Sequence, residues 1–247
     1  MALAHSPRII INNLFLCLDA ANTKSYPGSG ITWIDLSTNK TNGTLINSPG
    51  FSNTNGGTIT FDGTNDSCNT SLSGPTTFTT DSEFTMSCWA KFSAYKADAS
   101  SIGTLFGAFN YQGYGLFWAG TPTSYVIGSY MRSTSTVSDI RSSAITPGNW
   151  FYAVQTYSKT SNLHRLYING VLSNNTTSIS GAFSAGLNGI SIAIANGVPG
   201  INDGTPGGGT PGTPLLGNVA QASIYNRALS ATEVNQNFNA LRGRFGL

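Results

Sequence analysis

The stretch Phe84-Thr85-Met86-Ser87-Cys88-Trp89-Ala90-Lys91-Phe92 decides the fold. Apolar residues at every second position put Phe84, Met86, Cys88, Ala90 and Phe92 on one face, the signature of a strand with one side in a core. Trp150 to Tyr157 and Leu163 to Ile168 behave similarly, and the second runs through Asn169-Gly170 into Val171-Leu172. Asn-Gly between two such runs predicts a two-residue hairpin, because both residues accept positive φ. Further strands are expected near Leu14–Leu18, Thr58–Phe61, Ile102–Phe109, Gly113–Trp118, Tyr125–Met131, Ile190–Ala195 and Leu216–Tyr225. With Asn-Gly again at 42–43, 55–56, 188–189 and 196–197, this spacing predicts about a dozen short antiparallel strands in two packed sheets.

One segment carries a helical period. Ser230-Ala231-Thr232-Glu233 is a capping box, and Val234, Phe238 and Leu241 follow at i, i+4 and i+7 as one apolar stripe. Gly243 is the expected stop. Between Asn196 and Pro214 the chain is mostly Gly, Pro and Thr, which cannot bury apolar area and reads as a long exposed loop. No repeat or linker divides the rest, so a single domain over 14–247 is expected, preceded by an arm at 1–13. Ile9-Ile10-Ile11 in that arm is read as gripping the domain's own edge, with a neighbouring protein as the alternative.

Composition narrows the function. Only 9% of the 247 residues are charged, against about 25% in ordinary domains, so the surface must be built from Ser, Thr, Asn and Gly. A net charge of +2 with no Lys or Arg run offers no footprint for nucleic acid or an anionic membrane. Cys17, Cys68 and Cys88, an odd count without C-x-x-C spacing, read as buried thiols in a chain that folds under reducing conditions, with one disulfide plus a free thiol as the alternative. Met1 to Arg8 has no apolar core of signal-peptide length, and nowhere do about 18 apolar residues run together, so no signal peptide and no membrane span are expected.

Several stretches, taken in order and spacing, resemble the laminin-G-like, concanavalin A-like jelly rolls of tailed-bacteriophage virion proteins. They are Leu16-Cys17-Leu18-Asp19-Ala20-Ala21-Asn22, Ser25-Tyr26-Pro27-Gly28-Ser29-Gly30, Trp33-Ile34-Asp35-Leu36-Ser37, Phe61-Asp62-Gly63-Thr64-Asn65-Asp66, Phe84 to Trp89 and Asn149-Trp150. Leu166-Tyr167-Ile168-Asn169-Gly170, Ile224-Tyr225-Asn226-Arg227-Ala228-Leu229-Ser230 and Glu233-Val234 complete the series. The resemblance implies an all-β two-sheet jelly-roll sandwich with one short C-terminal helix. It also implies a virion surface role, as a capsid decoration or fibre-like adhesion module. Expected partners are a capsid or tail structural protein, a host-surface glycan and further copies of the chain on the particle, after assembly in the host cytoplasm. A free-standing carbohydrate-binding lectin is the alternative, with a glycoside hydrolase or polysaccharide lyase as the further competitor. The acidic pair that family members often carry just before the closing strand is replaced here by Ala220 and Gln221.

Each candidate site has a plainer reading beside it. A retaining glycosidase needs two carboxylates about 5–5.5 Å apart. The only glutamates are Glu83 and Glu233, neither in a Glu-x-Asp-x-x-Glu motif, and Asp81 with Glu83 stands at a Thr-rich turn, so no catalytic residue is expected. His164, beside Leu166 and Ile168, reads as structural, and no Ser-His-Asp arrangement suggests itself. The resemblance raises a structural Ca²⁺ held by Asp62, Asp66 and Asp203, although Asp62-Gly63 and Asp203-Gly204 also suit turns. For a glycan, aromatic faces flanked by amides are concentrated at Asn110, Tyr111, Gln112, Tyr114 and Trp118. Ordinary sheet packing competes for each ring, as it does for Tyr26 and Trp33.

Overall fold

The computed structural model describes residues 7–73, 78, 82–94, 101–110, 112–121, 123–133, 135–177, 179, 191–195 and 213–247, without the side chains at 73, 101, 110 and 112. These residues form sixteen strands in two antiparallel eight-stranded sheets and one short C-terminal helix. The first sheet holds β1 (Leu14–Asp19), β4 (Gly50–Ser52), β5 (Thr58–Asp62), β7 (Phe84–Phe92), β12 (Trp150–Ser158), β13 (Leu163–Ile168), β14 (Val171–Thr176) and β16 (Leu216–Tyr225). Its order is β14-β13-β12-β7-β16-β5-β4, and β1 pairs with the end of β16 that β5 leaves uncovered. The second holds β2 (Thr32–Trp33), β3 (Gly43–Ile46), β6 (Ser67–Ser73), β8 (Ser101–Asn110), β9 (Gln112–Thr121), β10 (Ser124–Arg132), β11 (Val137–Ile145) and β15 (Ser191–Ile194). Its order is β11-β10-β9-β8-β15-β6-β3-β2.

The alternation in β7 has the predicted meaning. Phe84, Met86, Cys88, Ala90 and Phe92 all enter the main core between the sheets. The opposite face is buried as well, which period two did not predict. There Trp89 stacks on Tyr152, Phe245 and Phe238 at centroid distances of 5.0, 4.3 and 5.6 Å. This second core lies under helix α1 (Ala231–Leu241), whose Val234 is buried and whose Phe238 and Leu241 complete the predicted stripe. The capping box forms as expected. Arg227 donates to both Glu233 oxygens at 2.8 and 2.6 Å, and this pairing holds the Glu233 carboxyl down at about 2.

The α-helix ends at Leu241, just before the expected stop at Gly243. A 3-10 turn over Arg242–Phe245 follows, placing Phe245 in the second core, and the left-handed residue is Gly246. Asn169 and Gly170 take φ of 51° and 79° at the β13–β14 hairpin, as the dipeptide predicts. The arm lies against its own domain: Asn237 Oδ1 accepts from the Ile10 amide, Tyr225 Oη donates to the Ile10 carbonyl, and Arg227 Nε donates to that of Asn12. Ile10 and Leu14 pack on the second core.

All three cysteines are buried and free. Burial pushes the Cys17 and Cys68 thiols up to about 12. Among the described residues no helix is long and apolar enough to cross a membrane. The 196–212 part of the expected Gly-Pro-Thr loop lies outside them, as do His5 and Asp81.

Candidate functional site: a cleft between the arm and the β2–β3 loop

Two of the rings nominated from sequence, Tyr114 and Trp118, are not available as a sugar platform. Tyr114 and Trp118 are fully buried in the main core, Tyr114 against Phe84 at 5.1 Å and Trp118 against Tyr125 at 5.1 Å. A ring enclosed on both faces cannot stack on a sugar. Their parity in β9 turns Phe117 to the other side of the sheet, where it clusters with Phe109, Ala119 and Tyr130, also buried. Asn110 and Gln112 pair across the β8–β9 hairpin, and Tyr111 lies outside the described residues. Tyr26 and Trp33 are buried too, and the Tyr26 hydroxyl donates to the Gly30 carbonyl at 2.8 Å.

The acidic candidates are engaged in local structure. Asp62 Oδ1 accepts from the Thr64 amide at 2.7 Å, and that bond lowers its pKa; Asp66 Oδ2 accepts from the Asp62 amide at 3.1 Å, while burial raises its pKa. This is turn chemistry. Among the described residues no three His, Cys, Asp or Glu side chains come together as metal ligands, and Asp203 lies outside them. Asp62 and Asp66 are committed to the turn that joins β5 to β6. Glu83 accepts from the Ser158 hydroxyl at 2.9 Å and the Thr160 amide at 3.3 Å. Ala220 and Gln221 lie within β16, at a register shift, and not before the strand.

His164 is buried between the sheets, with Ser129 Oγ 2.6 Å from Nε2 and Ser138 Oγ 2.6 Å from Nδ1. Gln155 Nε2 donates to the Tyr130 carbonyl at 3.2 Å and lies 3.1 Å from His164 Nε2. An amide donor facing Nε2 assigns the acceptor role to that nitrogen and leaves the proton on Nδ1. Burial without a carboxylate among these partners lowers the pKa to about 3. The residue ties β13 to β10 and β11 as a neutral strut.

Among the described residues there is a cleft of about 470 Å³ lined by Ile11, Asn13, Leu14, Phe15, Leu36, Ser37, Thr38, Asn39 and Asn226, within the size range of about 300–1,000 Å³ typical of small-molecule sites. One wall is the loop after β2, built around buried Asp35. Its Oδ1 accepts from the Cys17 and Ser37 amides, both at 2.8 Å. Its Oδ2 accepts from the Ser37 hydroxyl at 2.6 Å and the Thr41 amide at 3.0 Å. A carboxylate receiving four donors fixes the loop and has little capacity left for a ligand. Asn39 Nδ2 closes the wall by donating to the Phe15 carbonyl at 2.8 Å.

The other wall is the arm entering β1. Asn13 takes the left-handed φ of 58°, which Asn tolerates better than most residues, and its carbonyl accepts from the Asn226 amide at 3.1 Å. β1 is bulged between Leu14 and Leu16, leaving Phe15 unpaired at the rim, a device that re-aims a side chain. The exposed side chains of Asn13, Thr38 and Asn226 make no hydrogen bond to any described residue. Amides and a hydroxyl therefore face an apolar floor with their bonding capacity open.

The family profile described as the concanavalin A-like lectin/glucanases superfamily, of laminin G type, matches residues 62–235. The chain belongs to that superfamily. Among solved structures it is similar to the binding domain of Paraclostridial Mosquitocidal Protein 1, with a TM-score of 0.66 and 18% identity over 93% of this chain and 52% of the other. Trypanosoma rangeli sialidase in complex with a difluorinated keto-deoxy-nononic acid gives 0.62 and 14%, over 96% and 34%. The receptor-binding domain of botulinum neurotoxin type G gives 0.60 and 15%, over 92% and 51%. At these identities the likeness is one of fold. The chain spans about half the length of the two toxin domains and about a third of the sialidase. Comparison with curated proteins gives no match. The superfamily's sandwich frame accounts for the two sheets, while the arm, the β2–β3 loop and their cleft lie outside the matched span save for Asn226.

Proposed function

We propose that this superfamily member is a lectin-like adhesion module, displayed on a bacteriophage particle as a capsid decoration or fibre-like domain, which engages host-surface glycans without turning them over. The single observation that carries the binding part is the cleft: exposed amides and a hydroxyl without partners among the described residues, beside apolar side chains, match the two kinds of surface a sugar presents. The uncharged, amide-rich exterior suits contact with hydrated polysaccharide. Glu83 and Glu233, each committed to structural hydrogen bonds, support binding over hydrolysis. The particle context rests on the resemblance of the ordered stretches from Leu16 to Val234 to virion jelly rolls.

A glycan array probed with the purified chain is the test. Retention of defined glycans with no new reducing ends on prolonged incubation supports the reading. Silence across neutral and acidic glycans, or release of sugar products, overturns it. Co-sedimentation with phage capsid or tail protein separates a particle component from a free-standing lectin, the second reading.

A further inference from the structure

The cleft's chemistry names its ligand class. We infer that it takes an uncharged sugar terminus, read by the side-chain amides of Asn13 and Asn226, without help from a cation; this rests on the lectin reading above.

Nine residues line the cleft and none carries a charge. A sialic, uronic or sulfated sugar entering it would give up part of the water around its anion and meet no counter-charge, an uncompensated desolvation that disfavours it against a neutral sugar. The neighbouring cation is already engaged: Arg227 spends two donors on Glu233 and its Nε on the Asn12 carbonyl. Lys40 follows the loop wall without lining the cleft. The one carboxylate behind the wall, Asp35, is buried and takes four donors, so it has little to offer a Ca²⁺ that could bridge protein and sugar.

What the cleft offers instead suits a neutral sugar. A hydroxyl donates and accepts at once, and so does a side-chain amide. Asn13 and Asn226 hold two such amides on adjoining segments, locked together by the backbone bond between them. Leu36 and Phe15 supply apolar surface for C–H groups, and Ile11, 77% exposed, flanks the mouth. The arm thereby forms part of the site as well as a clasp.

The test is titration calorimetry of the full chain with neutral and sialylated glycans sharing one core, with and without EDTA. Asn13→Gly keeps the left-handed backbone while removing the amide, and Asn226→Ala leaves the backbone bond in place. Each is expected to weaken neutral-glycan binding about fivefold or more, while Lys40→Ala and EDTA change nothing. Preference for the sialylated glycan, loss of binding in EDTA, or full affinity in both amide variants overturns the inference and leaves the lectin reading standing. Failure of every glycan to bind removes both.

Discussion

Acidifying the protein from neutrality to about pH 5 should weaken it through His164. The imidazole's ordinary pKa of 6.5 falls to about 3 in the fold. Between those values the unfolded chain binds a proton that the folded chain refuses, so stability falls as pH drops below about 6.5. The loss amounts to about 1.4 kcal/mol per pH unit, or about 2 kcal/mol at pH 5, and saturates near pH 3. Above neutrality the residue contributes no pH dependence. Carboxylates held low, such as Glu233 at about 2, add their own acid sensitivity, but only below their ordinary range near 4.5. Asp66, whose carboxyl burial raises, acts in the opposite sense, so the comparison with a variant lacking the imidazole is what isolates the histidine. Urea unfolding at intervals over the window from pH 6.5 to about 5, on the natural chain and on His164→Asn, is the assay. The variant should be weaker throughout, because Ser129 and Ser138 lose a partner, and its profile should be flatter by about 2 kcal/mol over the window. Parallel profiles would refute the neutral-strut account.

Three further outcomes follow from the packing. Trp89→Ala removes the ring that three aromatics stack upon and should cost about 3–5 kcal/mol, lowering the thermal midpoint by roughly 10 °C as read by calorimetry. Gly217→Ala drives a Cβ into the Lys91 carbonyl oxygen of the paired strand; β7 and β16 must part, and denaturant unfolding should show a loss of about 1–3 kcal/mol. With Cys17 and Cys68 raised to about 12 and Cys88 raised further by burial, a colorimetric thiol reagent near pH 8 should label none of them in the native protein and all three in denaturant.

The fold was legible wherever apolar residues recur with the element's own period on the face that meets a core. β7, β12, β13 and the helix stripe were read correctly because their periods match their geometry. β11 was missed because its inner face carries Ser138, bonded to His164, so a polar contact stands where the pattern seeks an apolar one. The covered outer face of β7 was hinted at only by Trp89, an aromatic at a position where period two expects a polar residue. For the site, the run from Phe109 to Trp118 misled because both of its faces are aromatic. Alternation then gives no direction, and Tyr114 and Trp118 fell inward. The cleft was illegible as a unit, since its walls come from residues 11–15, 36–39 and 226. Its traces in sequence were the Asp35-x-Ser37 pair and an asparagine just before β1, signals of loop chemistry and not of a ligand.

The account stands most directly on where a sugar sits. A crystal structure of the chain soaked with the best-retained neutral glycan should show density between the Ile11–Phe15 arm and the Leu36–Asn39 wall, with Asn13 and Asn226 within hydrogen-bonding distance of its hydroxyls. A sugar seated elsewhere, on the outer face of the second sheet or along an edge strand, with that cleft empty, would contradict it.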